Sequence, residues 1–159
     1  MPAQHHTTMG TLVYIGTTAA AASSDSYTEI EGARVLSNAF GVSFASIDVT
    51  GLSDDWKQTD KGLGDAGSLQ IGGMAKTDPS TGALATGQGK LETAALNTAD
   101  GNTYNFKIER RNGSGYYMKA KVMSFTRTLG NNTNTEDFTS TLMQQSLATP
   151  FAAPEPDPG

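Results

Sequence analysis

Cysteine is missing from the sequence altogether. Disulfides, thiolate metal sites and a cysteine nucleophile are therefore excluded. Histidine is almost missing too, with only His5 and His6 side by side near the start. Two adjacent imidazoles without a third ligand at matching spacing do not make a metal site. Their position suggests a loose N-terminal arm over residues 1–10. With no histidine elsewhere, a Ser-His-Asp or Cys-His mechanism has no general base. Charge is sparse: Asp, Glu, Lys and Arg make up 17% of residues, against about 25% in an average chain. That excludes the charged heptads of a coiled coil, a highly charged disordered chain and the dense basic surface of a non-specific nucleic-acid binder. No apolar run approaches the ~20 residues of a membrane-spanning helix. No basic segment followed by an apolar stretch opens the chain, so no signal peptide is read. The expectation is a protein kept in the cytoplasm, or carried out of it within an assembly.

What is present is neutral polarity on a β-type pattern. The 159 residues fit one domain with tails. Apolar residues make up 36%, and 18 glycines bring the total to an ordinary globular share. Residues 11–18, 27–36 (broken at Gly32), 42–49 and 68–74 read as strands. Leu91, Ala94 and Ala95 share one helical face within 87–97. Tyr104, Phe106 and Ile108 alternate with Asn105, Lys107 and Glu109. Asn112-Gly113 is a strong hairpin signal, with a return strand over 116–129. Gly130–Thr135 reads as a second hairpin loop, and Phe138, Ser140 and Leu142 mark a last strand. Between strands, 51–67 reads as a long polar loop carrying the single tryptophan, Trp56. Residues 150–159 hold four of the six prolines and read as a tail dispensable for folding. The fold expected is mainly β: an antiparallel β-sandwich or open barrel over residues 11–149, with one flanking α-helix and extended termini.

Candidate chemistry is thin. Gly62-Leu63-Gly64-Asp65-Ala66-Gly67 matches the dinucleotide fingerprint by letter. That motif needs a strand before it and a helix after it, whereas a polar loop precedes this one and a strand follows. Asp54, Asp55, Asp60 and Asp65 cluster, but Lys57 and Lys61 interleave with them, which suits a solvated mixed-charge surface better than a paired-acid site. Asn131–Asp137 lacks the ligand ladder of a calcium loop. No catalytic residue, cofactor or metal is expected. Charge is segregated, however. Residues 107–127 carry six basic residues against one acidic, net +5, leaving five against fifteen, net −10, elsewhere. The basic strip has aromatic neighbours, Tyr116, Tyr117 and Phe125, so it can be read as a nucleic-acid surface, as a solvated hairpin, or as a patch meeting the acidic surface of an identical neighbour. Trp56, in a polar loop, either caps the domain's own core or inserts into a partner, and the length of the loop favours the partner.

A family resemblance rests on the order of short motifs. Tyr27-Thr28-Glu29-Ile30-Glu31-Gly32-Ala33-Arg34 comes first, then Phe40 onward to Ile47-Asp48-Val49-Thr50, then Gly62-Leu63-Gly64-Asp65-Ala66-Gly67-Ser68-Leu69. A helix rich in small residues and a Gly-Asn turn into a Tyr-x-Phe-x-Ile strand follow. Over residues 11–147 this resembles the major tail tube proteins of long, non-contractile-tailed bacteriophages. The resemblance implies a β-sandwich subunit with one helix that forms hexameric rings stacked into a hollow tube for genome passage, located in the virion tail and assembled in the host bacterial cytoplasm. It implies a tape-measure protein, tail terminator and distal tail proteins as partners, with DNA passing only transiently through the lumen. The 51–67 loop is then expected to reach a neighbouring subunit or ring. The interface residues expected are Asp54, Asp55, Trp56, Lys57, Asp60, Lys61, Arg110, Arg111, Lys119 and Lys121. The acidic majority is expected to include the lumen, and the basic hairpin to lie away from it. Alternatives are another tube or terminator component of a phage tail or contractile injection system, or a small carbohydrate-binding β-sandwich.

Overall fold

A computed structural model describes residues 10–37, 40–129 and 136–154. Its strands are β1 (Leu12–Ile15), β2 (Thr28–Glu29), β3 (Ala33–Ser37), β4 (Phe40–Asp48), β5 (Thr59–Met74), β6 (Tyr104–Glu109), β7 (Gly115–Thr128), β8 (Asp137–Gln144) and β9 (Thr149–Phe151). One helix, α1 (Thr86–Leu96), lies between β5 and β6. The sheet runs β2-β1-β6-β7-β8-β5-β3, with β4 beside β5 and β9 beside β7. Every named pairing is antiparallel. This is the mainly β, open-barrel architecture with a single helix that the sequence led us to expect.

Strand alternation builds the core. Phe106 and Ile108 on β6 are buried, as are Met118, Ala120 and Val122 on β7 and Phe138 and Leu142 on β8. Register puts these side chains in rows: Ile15 opposite Phe106, Phe106 opposite Met118, Val122 opposite Leu142, and Leu142 opposite Leu69. Removing such side chains from water is the main stabilising term. The helix fills the inside of the curve with Leu91 and Ala94, packed on β1, β2 and β7.

The curved sheet is drawn together by its own chain. Its two end strands, β2 and β3, are joined by residues 30–32 alone. Ile30 N–H donates to the Val13 carbonyl at 2.8 Å, and Met74 N–H donates to the Gly32 carbonyl at 3.1 Å, so the connection is tied to both sides. Gln88, fully buried on α1, spans the same seam. Its amide nitrogen donates to the Glu31 and Met74 carbonyls at 2.6 and 2.9 Å, and its oxygen accepts from Lys76 N–H at 3.0 Å. Gly32 adopts φ +77°, a conformation that a Cβ strongly disfavours. Gly87 lets the helix backbone approach β2 so closely that a Cβ there would overlap the Glu29 carbonyl.

Two expectations are corrected. The loop expected over 51–67 ends earlier, because Thr59–Gly67 belongs to β5 and pairs with β4 as a long hairpin. Alternating Thr, Lys and Leu between glycines carries little apolar signal, so the strand reads as loop in sequence. The tail expected from residue 150 also starts later. Thr149–Phe151 pairs with Gly115–Tyr117 of β7. Pro150 is tolerated there because β9 is a sheet-margin strand with one partner. His5 and His6, and the whole of the expected second hairpin loop, residues 130–135, lie outside the described residues.

Candidate assembly surface

The hairpin of β4 and the first half of β5 departs from the sheet. From Gly41 to Lys61 every residue is exposed. Seven of the thirteen exposed large apolar side chains among the described residues lie on it: Val42, Phe44, Ile47, Val49, Leu52, Trp56 and Leu63. In the sheet body β5 pairs with β8 and β3 over Ser68–Met74, whereas Thr59–Gly67 pairs with β4 only. Among the described residues the arm therefore carries two sheet edges without a strand beside them, the usual template for adding a strand from another molecule.

The arm is locally well built. Phe44 lies across Gly64, where a Cβ would come within 2.9 Å of its ring, and the Lys61 ammonium sits 5.1 Å from the ring centre. At the tip, Asp48 accepts from the Thr50 N–H and hydroxyl at 3.0 and 2.6 Å. Those bonds hold the Asp48 carboxyl below its usual range. Gln58 N–H donates to the Thr50 hydroxyl at 2.9 Å, and Gly51 N–H donates to Asp54 at 2.7 Å. Trp56 stands 81% exposed at this tip and does not cap the domain's own core.

The ten residues singled out in sequence fall into two groups. Asp54, Asp55, Trp56 and Lys57 form the tip of the arm, and Asp60 and Lys61 begin β5, all exposed. Arg110 and Arg111 occupy the β6–β7 turn, while Lys119 and Lys121 lie on β7. The second group is partly tied down. Arg110 donates to the Tyr116 hydroxyl at 2.8 Å and stacks 4.7 Å from its ring. Lys119 donates to Asn105 Oδ1 at 2.9 Å and to the Ala19 carbonyl at 3.2 Å. Two further basic residues of the strip are paired, Lys107 with Glu109 at 3.1 Å and Arg127 with Glu136 at 2.6 Å. Most of the strip's basic groups are thus held by local contacts, with Glu136 the one carboxylate outside the strip among these partners.

Lys119 reaches a network on the outer sheet face. Asn105, fully buried, donates to Asp25 at 2.9 Å and to the Ala19 carbonyl at 2.8 Å. Asp25 also accepts from the Thr17 N–H and hydroxyl at 2.6 and 2.7 Å. Burial would raise the Asp25 pKa, but the hydrogen bonds from Asn105, Thr17 and Ser26 outweigh it and hold it at about 2. The 17–27 connector is pinned to β6 and β7 by this network. Asn105 thus carries a role that strand alternation alone assigns to a solvated position.

No arrangement for bond chemistry emerges among the described residues. No three His, Asp or Glu side chains converge as metal ligands. The glycine fingerprint lies within β5, with neither Gly62 nor Gly64 at positive φ. The exposed apolar members Phe44, Ile47 and Leu63 escaped the sequence reading. No local signal marked them, because their exposure follows from the lack of a second layer over the arm.

No protein-family model and no curated protein matches the chain. Solved structures do match over nearly its whole length. A chain in the tail of an empty gene transfer agent particle, refined helically with C6 symmetry, has 14% identity and a TM-score of 0.63, covering 94% of this chain and all of that one. A chain of an extracellular contractile injection system, in its sheath/tube terminator in the extended state, has 12% identity and a TM-score of 0.63, covering 94% and 99%. A chain of the same system's sheath–tube complex has 13% identity and a TM-score of 0.61, covering 93% and 92%. This chain, with its open β-barrel and projecting hairpin, shares its fold with chains of tail particles and contractile injection systems.

Proposed function

We propose that the protein is a non-enzymatic tube-forming subunit of a phage-type tail, polymerising as stacked hexameric rings into a hollow tube for genome passage. The observation that carries this reading is the 40–67 arm, which displays seven large apolar side chains and two strand edges that no other described residue of the domain covers. A folded chain tolerates such a surface when a second copy buries it. The fold shared with tail and injection-system chains supports the same reading. In the tube, Asp54, Asp55, Trp56, Lys57, Asp60 and Lys61 contact the adjacent subunit or ring. Arg110, Arg111, Lys119 and Lys121 face neighbouring subunits rather than the bore, where phosphates would bind them. Tape-measure, terminator and distal tail proteins are the other partners.

Negative-stain microscopy of the concentrated protein tests the proposal. Tubes or rings of uniform diameter are the expected result, and a monodisperse monomer at every concentration overturns it. Trp56→Ala is expected to leave a folded monomer and strongly reduce tube yield. A reconstruction with the four basic residues lining the bore would refute their assignment. The equal similarity to the terminator-stage structure favours one second reading, a terminator subunit. That reading predicts isolated rings that never elongate.

A further inference from the structure

The outer face of the β1–β6–β7 corner holds a small aromatic box around one lysine. The Lys107 ammonium lies 5.0 Å from the Tyr14 ring centre, 5.9 Å from Tyr27 and 5.7 Å from Phe151, and pairs with Glu109 at 3.1 Å. Tyr117 forms the floor, 5.9 Å from Tyr27 and 4.6 Å from Phe151. Rings enclosing a cation that is also ion-paired make a favourable, geometrically demanding site. Only Phe151 among these residues comes from the C-terminal segment.

The ground beside the box is shaped for an extended peptide. A Cβ at Gly115 would overlap the Ile108 carbonyl of β6 and would also lie 3.0 Å from the Phe151 ring. At Gly113 a Cβ would lie 3.0 Å from Pro154. Residues 149–151 complete the fit by pairing with β7. The segment itself is weakly held: β9 is three residues long, Pro150 supplies no N–H, and Thr149 and Pro150 are exposed. Of its tether to β8, residues 145–147 are exposed, Leu147 at 59%, while Gln145 N–H donates to the Lys119 carbonyl at 2.9 Å and Ala148 packs on the core edge.

We propose that the Lys107 box with Gly113 and Gly115 is a docking site for a proline-flanked phenylalanine. In one chain it is filled by residues 149–154; between chains it accepts the same segment from a second copy. The site stands on β1, β6, β7 and Tyr27 without the segment, and its occupant hangs on a short exposed tether. These are the conditions under which an element exchanges between copies once local concentration rivals that of the tethered form. The inference does not rest on the tube reading.

The absence of cysteine permits a direct test in the full-length chain. Tyr116 and Pro150 are Cα partners across β7 and β9. With both as cysteine in one chain, Tyr116→Cys and Pro150→Cys should close an internal disulfide on diamide oxidation. Failure to close overturns the docking geometry. Separate Tyr116→Cys and Pro150→Cys chains with tags of different size are then mixed, concentrated and oxidised. Exchange predicts a heterodimer whose yield rises with concentration and exceeds that of Pro150→Cys mixed with the surface control Thr98→Cys. A yield no higher than the control overturns exchange.

Discussion

The two halves of β5 belong to one 16-residue strand and live under different constraints. From Ser68 to Met74 the strand pairs with β8, and over Gln70–Gly73 with β3 on its other side as well, with Leu69 and Ile71 buried. From Thr59 to Gly67 it has one partner, and Leu63 is 89% exposed. Apolar residues in the Ser68–Met74 half stabilise the monomer. The same kind of residue in the Thr59–Gly67 half does nothing for the monomer and remains available to another molecule. The difference comes from what lies above each half: the buried core over one, solvent over the other.

Perturbations that separate the two regions range from large to negligible effects on the monomer. Phe106→Ala, in the body, removes a fully buried ring and should cost about 3–5 kcal/mol in urea unfolding. Gln88→Leu keeps the helix but strands the Glu31 and Met74 carbonyls and the Lys76 N–H at the seam, for an expected loss of about 2–3 kcal/mol. A loss below that of a surface substitution would show that water replaces the amide.

A smaller, pH-dependent effect should come from Asp25. Its pKa is about 2 in the folded chain, against about 3.9 when unfolded. The native state therefore binds the proton less readily. The stabilising contribution is complete above the unfolded value and is lost as pH falls toward the folded one. Melting temperature should drop between about pH 4 and pH 2 by more in the native protein than in Asp25→Asn. Identical profiles would place the acid sensitivity elsewhere. The smallest change is expected in the arm, where Trp56→Ala should alter monomer stability by no more than about 0.5 kcal/mol. A larger loss would mean that the arm and body share a core after all.

Much of the body was legible because strand alternation and helical spacing act locally. The Tyr104–Glu109 alternation names the inward pair Phe106 and Ile108, and Leu91 with Ala94 names the buried helix face. The arm was half legible. Its tip residues, including Trp56, stood out as polar loop, but Thr59–Gly67 did not read as a strand because its glycines and charges mimic a turn-rich segment. Asn105 and Gln88 were not legible at all. Each is a polar residue whose burial depends on a segment far away in sequence, the 17–25 connector for one and residues 31 and 74 for the other.

The absence of cysteine, the near absence of histidine and the low charge exclude whole classes of chemistry from the sequence alone, because residue types set which nucleophiles and ligands exist. Local pattern likewise determined a mainly β chain with one helix. Tertiary structure decided which apolar residues are core and which are exposed, since burial depends on whether a second layer covers a strand. It also decided that Pro150 and Phe151 join the sheet and that Gln88 ties the β2–β3 connection to the end of β5. Those contacts join residues distant in sequence, and no local preference encodes them.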